Sequence, residues 1–263
     1  MADAVSRFSG LAGLYDKVRP RAPAGLAEVI TQWAGISGPA VVDLGGGTGL
    51  SAALWAGRAR QVTAVEPSAG MREAARRRIS ALDGAGAFTV VDATAEATGL
   101  PDGCADIVTA SQAMHWFDPA RVLPEIARLL RPGGVLAAYD HDLVPCIDWE
   151  TDAAFTAFCD RVFELEELRG LGPPHAAKEE HEERLRETGQ FRHTTEITHS
   201  SREEGDAERL AGYALSLGGT AALLADQVSE DELGLTSLRA VASRRLLVPR
   251  PWWWSYRARL AVK

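Results

Sequence analysis

Acidic residues lie at the ends of three successive apolar segments, and a glycine-rich turn follows the first of them. Asp43 lies in the apolar segment that leads into Gly45-Gly46-Gly47-Thr48-Gly49, and Glu66 and Asp92 end the next two such segments. Glycine permits positive φ and leaves space for a ligand beside the backbone. A turn of this kind after a buried strand is where doubly wound α/β domains bind a nucleotide-like cofactor.

The spacing of the glycines argues against a dinucleotide cofactor. The dinucleotide pattern is G-x-G-x-x-G, whereas Gly45, Gly47 and Gly49 form G-x-G-x-G and Leu50 occupies the place of the third glycine. The carboxylate of Asp43 would repel a pyrophosphate, because both groups are negatively charged. The same carboxylate suits an amino group or hydroxyl groups.

The other two acidic residues suit an adenosine. Glu66 lies 21 residues beyond Gly45 and can accept hydrogen bonds from both ribose hydroxyls, as an acid at this place does in NAD-binding proteins. Asp92 can accept a hydrogen bond from the exocyclic adenine amine, while a backbone N–H beside the small Ala93 faces the ring. Three acids at successive strand ends therefore predict a site for an adenosine that carries an amino acid.

Alternating strands and helices must position these residues. The periodicity from residue 26 to residue 140 predicts an α/β fold, a Rossmann-like seven-stranded mostly parallel sheet flanked by helices. Asp118-Pro119 is a cap followed by a first-turn proline, and Pro132-Gly133-Gly134 stops the helix that follows it. The predicted strands are 41–44, 61–65, 88–91, 106–110 and 135–139, and the predicted helices are 26–33, 51–57, 68–79 and 120–130.

The second half of the sequence predicts a helical insertion, or lid, within a single domain of residues 1–263. Helices are expected over 150–188, 206–217 and 229–245, and strands over 191–199 and 252–262. The run Trp252-Trp253-Trp254 alternates between the two faces of the last strand. The domain is then a cofactor-binding core (1–142), a helical lid and substrate region (143–190 and 206–245) and the last strands of the sheet (191–200 and 251–262).

In combination the motifs resemble the class I methyltransferases that use S-adenosylmethionine, within the small-molecule group of methyltransferase type 11, UbiE-like and trans-aconitate methyltransferase-like enzymes. The segment from Phe8 to Arg19-Pro20 resembles the N-terminal Tyr-x-x-x-Arg-Pro element of that family. The match covers roughly residues 8–142. The segments that match the first motif, the second motif, the adenine-contacting turn and the turn before the fifth strand are 41–49, 62–71, 92–96 and 129–134.

The resemblance implies S-adenosylmethionine as the cofactor and S-adenosylhomocysteine as its product. Each matched element would contribute residues to the cofactor site. Those residues are Tyr15 and Arg19 at the carboxylate, Asp43, Gly45, Gly46 and Gly47 at the methionine part, Glu66 at the ribose, Pro67, Met71, Asp92 and Ala93 at the adenine, and Gln112 at the methionine or the methyl group.

Candidate residues for the methyl acceptor follow the fourth and fifth strands. Methyl transfer from a sulfonium mainly requires alignment and desolvation; a carboxylate acceptor needs no base, but a hydroxyl benefits from one. His115 titrates near neutral pH and is the candidate catalytic base, unless His115-Trp116 only packs the loop. The side chain of Trp116 is expected to form one wall of the acceptor pocket. Tyr139 and His141, in the run 139–142 after the fifth strand, are the other expected substrate residues.

Composition limits the partners. The net charge of -8 argues against nucleic acid or an anionic membrane as a partner, and the Asn-Pro-Pro loop of base-modifying methyltransferases is absent. The basic group Arg72, Arg76, Arg77 and Arg78 is expected to be a solvated helix face. The three cysteines have neither metal-ligand nor disulfide spacing, so no metal is expected, and the absence of an apolar signal core predicts a cytoplasmic protein.

The sequence therefore predicts methylation of a small molecule at a carboxyl or hydroxyl oxygen. Transfer to carbon or nitrogen is the alternative within the class. A nicotinamide-dependent oxidoreductase and a cofactor-binding module without activity are alternatives from other classes. Both a monomer and a homodimer are compatible with the sequence.

Overall fold

The computed structural model describes residues 12–83, 87–171 and 181–263. In chain order the strands are β1 (Ala40–Leu44), β2 (Gln61–Val65), β3 (Phe88–Val91), β4 (Ala105–Ser111), β5 (Leu130–His141), β6 (His193–Gly205) and β7 (Arg250–Val262). The helices are α1 (Ala12–Val18), α2 (Ala24–Ala34), α3 (Leu50–Ala53), α4 (Ala69–Ser80), α5 (Pro119–Leu129), α6 (Trp149–Arg169), α7 (His181–Glu187), α8 (Ala207–Leu215), α9 (Gly218–Ala225) and α10 (Leu235–Arg245).

The strands form one seven-stranded sheet in the order β3-β2-β1-β4-β5-β7-β6. The pairs β1–β2, β1–β4, β2–β3 and β4–β5 are parallel, and β5–β7 is antiparallel. The chain builds outward from β1 to β3 and then continues on the other side of β1 with β4 and β5. The predicted Rossmann-like fold with a mostly parallel sheet is therefore confirmed.

Burial on both faces explains the apolar composition of the central strands. All five residues of β1 are buried, and so are the first six residues of β4. Helix α5 begins where the cap motif predicts, because the side chain of Asp118 accepts a hydrogen bond from the backbone N–H of Ala120 at 3.0 Å and Pro119 occupies the first turn. The sheet therefore places the carboxyl ends of β1 and β4 side by side.

The chain divides into two compact units. One comprises residues 21–141, 174–199 and 256–263, and it contains β1 to β5 and helices α2 to α5. The other comprises residues 1–20, 142–173 and 200–255, and it contains α1, α6 and α8 to α10. The chain passes from one unit to the other within β6 and within β7.

An aromatic cluster forms the interior of the second unit. The rings of Phe155 and Tyr213 stack with centroids 5.4 Å apart, and Trp254 packs edge-on to Tyr213 at 5.1 Å. Trp252 and Trp254 are 0% and 1% exposed, whereas Trp253 is 51% exposed. The predicted alternation of the tryptophan run is therefore confirmed.

Several element boundaries differ from the predicted ones. Strand β5 begins at Leu130 and includes the Pro-Gly-Gly sequence that was expected to precede it. Helix α10 begins only at Leu235, because Gly234 has a φ of 79° and interrupts the expected helix 229–245. Helix α3 ends at Ala53 rather than Gly57. The last two strands run over 193–205 and 250–262 rather than 191–199 and 252–262.

Candidate active site

The glycine turn after β1 is tightly packed. Gly45, Gly47 and Gly49 have φ angles of 66°, 54° and 81°, which residues other than glycine rarely adopt. A Cβ atom on Gly45 would lie 2.9 Å from Cβ of Ala113, just after β4, and one on Gly49 would lie 3.2 Å from Cα of Ala75 in α4. The turn lies where the strand order reverses, which is the cofactor position in doubly wound folds.

Asp43 is completely buried at the end of β1. Its Oδ1 accepts hydrogen bonds from Oγ of Ser51 at 2.9 Å and from Oγ1 of Thr109 at 2.7 Å. Among the described residues no donor reaches Oδ2, which lies 3.3 Å from where a Cβ atom on Gly46 would be. Burial raises the pKa of Asp43 to about 6, against the lowering effect of the two hydrogen bonds. An unpartnered buried acceptor beside the glycine turn suits a ligand amino group there.

Tyr139 belongs to the same polar network. Its hydroxyl lies 2.5 Å from Oγ of Ser51. Since Ser51 donates its only hydroxyl hydrogen to Asp43, the Tyr139 hydroxyl must donate to Ser51. Burial raises the pKa of Tyr139, so the phenol stays neutral and keeps its hydrogen. Its expected contact with the methyl acceptor stays a prediction.

Glu66 connects the glycine turn to the loop after β2. Its Oε2 accepts a hydrogen bond from the backbone N–H of Gly47 at 3.0 Å, and its Oε1 accepts one from the N–H of Ser68 at 2.8 Å. Burial raises the pKa of Glu66, and these backbone hydrogen bonds partly offset that effect. Each carboxylate oxygen has a second acceptor site. Glu66 can therefore accept a ribose hydroxyl without releasing the backbone.

Arg72 is a structural residue of this site, and the expectation that it lies on a solvated helix face is wrong. Its side chain is only 10% exposed and pairs with Oδ2 of Asp92 at 2.6 Å. It also donates to the carbonyl oxygens of Glu66 at 3.0 Å and Pro67 at 2.7 Å. Arg76 is exposed, as expected. Arg72 differs from Arg76 because it lies next to the buried Met71 on the side of α4 that contacts the residues after β2 and β3.

The remaining adenine candidates surround the ends of β2 and β3. Met71 is 5% exposed, and Pro67 and Ala93 are half-buried. Ala93 packs against the apolar core of the sheet. The carboxyl group of Asp92 is 67% exposed, so it stays accessible to a ligand while it pairs with Arg72. The contact of these residues with adenine stays a prediction.

Gln112 ties the ends of β4 and β5 together. Its backbone N–H donates to the carbonyl oxygen of Tyr139 at 3.0 Å, and its Nε2 donates to that of His141 at 3.3 Å. The φ of Gln112 is 51°, a left-handed conformation that costs energy for a residue other than glycine and often marks functional sites. His141 is buried, with its ring edge-on to Tyr256 at a centroid distance of 5.8 Å.

His115 lies in a short 3₁₀ turn after β4 and faces a buried charge network. Its ring packs on Trp116 with a centroid distance of 5.1 Å, and its Nδ1 lies 3.9 Å from Oδ1 of Asp140 in β5. Oδ2 of Asp140 accepts a hydrogen bond from Nη1 of Arg259 in β7 at 3.3 Å, and Nε of Arg259 lies 2.9 Å from Oε2 of Glu196 in β6. The sequence pattern did not reveal Arg259 or Glu196, because both lie far along the chain.

Tyr15 and Arg19 lie in the other compact unit. Nη2 of Arg19 donates to the carbonyl oxygen of Ser216 at 2.7 Å. Its guanidinium also lies over the rings of Tyr15 and Tyr213, at 4.7 Å and 5.3 Å from their centroids. Their expected contact with a cofactor carboxylate stays a prediction, and Phe8 of the same sequence element lies outside the described residues.

Fold and site together define a Rossmann-like α/β domain whose glycine turn, Asp43 and Glu66 suit a nucleoside-containing ligand. Residues 42–138 match the family described as a methyltransferase domain. This match confirms the predicted resemblance to methyltransferases over these residues.

Curated proteins described as methyltransferases are similar to about half of the chain. An uncharacterized methyltransferase of Mycobacterium tuberculosis is 39% identical over 129 residues, which cover 49% of each chain. A malonyl-[acyl-carrier protein] O-methyltransferase of Pectobacterium atrosepticum is 33% identical over 131 residues, again 49% of each chain. The chain thus spans about half the length of the curated relatives that it matches.

The likeness of the fold extends beyond the matched domain. The solved structure of a proposed type II methyltransferase from Anaeromyxobacter dehalogenans superposes with a TM-score of 0.64 and 28% identity, over 93% of this chain and 97% of that one.

Within the three described stretches of the chain, no helix has the length and apolarity that crossing a membrane requires.

Proposed function

We propose that this protein is an S-adenosylmethionine-dependent methyltransferase that acts on a small molecule, at a carboxyl or hydroxyl oxygen. The observation that carries the proposal is Oδ2 of Asp43, a fully buried oxygen that has no donor among the described residues and faces the glycine turn. Such an oxygen requires a hydrogen-bond donor, and an amino group of the ligand would provide one. The methionine part of S-adenosylmethionine provides one, and a nicotinamide dinucleotide has only a pyrophosphate to place at this turn.

The residues of the site fit this cofactor at two further points. Gly47 has a φ of 54°, and a Cβ atom there would meet only the carbonyl oxygen of Gly45, at 3.9 Å. The backbone surface of the turn is therefore open for a ligand. Glu66 and the partly exposed Asp92 lie at the ends of the next two strands, where hydrogen-bond acceptors suit a ribose and an adenine amine.

When bound, S-adenosylmethionine supplies a methyl group on a positively charged sulfur, which is already a good leaving group. The protein then has to hold the acceptor in line with that methyl group and exclude water. We infer that Gln112, His115, Trp116 and His141 surround the acceptor, because they follow β4 and β5 next to the glycine turn. Tyr139 supports the turn through Ser51.

The names of two similar proteins are the reason for proposing oxygen as the acceptor atom. Besides the malonyl-[acyl-carrier protein] O-methyltransferase, a trans-aconitate 2-methyltransferase of Methylobacterium radiotolerans is 40% identical over 99 residues, 36% of this chain and 35% of that one. Those names describe other proteins. For this chain they are the reason to propose an oxygen acceptor.

Incubation with S-adenosylmethionine and a panel of small carboxylic acids, phenols and alcohols tests the function. Mass spectrometry should detect an acceptor that gains 14 daltons, together with S-adenosylhomocysteine. A Gly46→Leu variant is the inactive control, because its Cβ atom would lie 3.1 Å from Cβ of Ala64 and 3.3 Å from Oδ2 of Asp43 and so disturb the turn. Gain of mass only on amines or carbon acids would contradict the proposed acceptor atom. A protein that binds S-adenosylhomocysteine but methylates nothing in a broad panel would be a binding module.

A further inference from the structure

A buried row of charged side chains extends from His115 into the sheet. The His115 side chain is 12% exposed, and those of Asp140 and Arg259 are 6% and 5% exposed. The distance of 3.9 Å between Nδ1 of His115 and Oδ1 of Asp140 is within ion-pair range but longer than a hydrogen bond. At this distance the negative charge of the carboxylate still favours a hydrogen on the imidazole nitrogen that faces it.

Arg259 fixes the orientation of the Asp140 carboxylate. Its Nη1 donates to Oδ2 of Asp140 at 3.3 Å, and its Nε lies 2.9 Å from Oε2 of Glu196. Glu196 also lies 3.5 Å from Nη1 of Arg257. A guanidinium can only donate hydrogen bonds, so the oxygen of Asp140 that faces Arg259 is occupied. The other oxygen is the one directed toward His115.

We propose that Asp140 is a positioning residue for His115, which rests on the proposed methyl transfer to oxygen. Asp140 holds the hydrogen of the neutral imidazole on Nδ1, and the lone pair of Nε2 acts as the base. As the oxygen of a hydroxyl acceptor forms its bond to the methyl carbon, the hydroxyl proton passes to Nε2. The electron pair of the methyl–sulfur bond stays on sulfur, and Asp140 stabilises the resulting imidazolium.

This arrangement follows the general rule that the hydrogen bond of one imidazole nitrogen sets the protonation of the other. The same logic underlies the carboxylate that orients the histidine of hydrolase triads. A carboxylate acceptor has no proton to remove, so the arrangement favours the hydroxyl among the two oxygen acceptors.

The tautomer of His115 tests the proposal without any methyl acceptor. Nitrogen-15 NMR of protein labelled at histidine distinguishes a hydrogen on Nδ1 from one on Nε2, and the signal lost in His115→Gln assigns His115. Above its titration range, His115 should carry its hydrogen on Nδ1 in the wild type. A hydrogen on Nε2 in the wild-type protein would overturn the proposal, whether or not any variant folds.

Asp140→Asn should reverse the tautomer. Arg259 requires an acceptor, so the amide oxygen of the new Asn would face Arg259 and its NH₂ group would face His115. Nδ1 must then accept, and the hydrogen moves to Nε2. The matched control Asp118→Asn changes a helix cap in the same loop to an equally good cap residue and should leave the tautomer on Nδ1. An unchanged tautomer in folded Asp140→Asn would contradict the proposal.

Kinetics provide a second readout. Asp140→Asn should lower kcat for a hydroxyl acceptor by roughly 100- to 10,000-fold, the usual contribution of a general base, and leave the affinity for S-adenosylhomocysteine unchanged. A wild-type protein that methylates no acceptor would end the proposed function but leave the tautomer result standing, so the two failures are distinguishable.

Discussion

Glu66 accepts a hydrogen bond from the backbone N–H of Gly47 across 3.0 Å, so the end of β2 holds the glycine turn that follows β1. The same carboxylate accepts from the N–H of Ser68 at 2.8 Å. One acidic side chain thus fixes the backbone of two loops and still has acceptor capacity on each oxygen. This makes Glu66 the residue whose removal should affect the cofactor most directly.

Replacing Glu66 with alanine should weaken the binding of S-adenosylhomocysteine by roughly 1.5–3 kcal/mol, the range for a hydrogen bond to a charged group. Isothermal titration calorimetry measures this difference. Glu73→Ala is the matched control, because Glu73 lies exposed on α4 and pairs with the exposed Arg77 of the same helix. Equal affinity of wild type and Glu66→Ala would show that Glu66 does not hold the ribose.

Much of this site follows from short-range sequence signals. The apolar run that ends at Asp43, the glycine spacing after it and the acid at Glu66 predict both the strand ends and the turn. Their geometry is local, since each acidic residue and the turn it belongs to are close in sequence. The Asp118-Pro119 cap is predictable for the same reason.

Contacts distant in sequence were not predictable. Arg72 was expected to be solvated, because a run of arginines on a helix usually is, and only the pairing with Asp92 and two carbonyl groups shows why it is buried. Arg259 lies 119 residues beyond Asp140, and the antiparallel register of β7 on β5 brings them together. That register cannot be read from either segment alone.

Asp43 should give the unfolding free energy a characteristic pH dependence. Burial raises its pKa from 3.8 to about 6, so the folded protein holds this proton more tightly than the unfolded chain. The associated stability is present below pH 3.8 and is lost as the pH rises through about 6. Relative to Asp43→Asn, the wild type should lose about 2 kcal/mol between pH 4 and pH 7, at about 1.36 kcal/mol for each pKa unit.

Urea denaturation of both proteins across this pH range measures the effect. In the difference between the wild type and Asp43→Asn, the contributions of the other titrating groups to the unfolding free energy cancel to first order. Parallel stability curves for the two proteins would mean that Asp43 titrates in the folded protein as it does in the unfolded chain.

The Gly45→Ala substitution should destabilise the protein by more than the positive φ angle of Gly45 alone explains. Gly45 and Gly99 have similar φ angles of 66° and 68°, but a Cβ atom on Gly45 would lie 2.9 Å from Ala113, whereas one on Gly99 would meet nothing within 4 Å. Gly99→Ala should cost about 1–2 kcal/mol for the left-handed conformation. Gly45→Ala should cost a further 1–3 kcal/mol, roughly the penalty for overpacking.

Chemical denaturation of the two glycine variants gives the comparison. The difference between them isolates the close approach of the β1 turn to the loop after β4. Equal losses of stability would show that this approach is not tight.

Arg72→Met should lower the unfolding free energy by roughly 1.5–3 kcal/mol, because the hydrogen bonds of a charged donor to two carbonyl oxygens and Asp92 are lost. Arg76→Met, on the exposed face of the same helix, should change stability by no more than about 0.5 kcal/mol. Thermal or urea denaturation distinguishes the two variants. A similar small effect of both would mean that the contacts of Arg72 contribute little.

The most direct test of the cofactor assignment is calorimetric titration of the wild-type protein with S-adenosylhomocysteine and, in parallel, with NAD. We expect saturable binding of S-adenosylhomocysteine with one molecule per chain, no heat of binding with NAD, and strongly weakened binding of S-adenosylhomocysteine in Asp43→Leu. Binding of NAD without binding of S-adenosylhomocysteine would contradict the cofactor assignment.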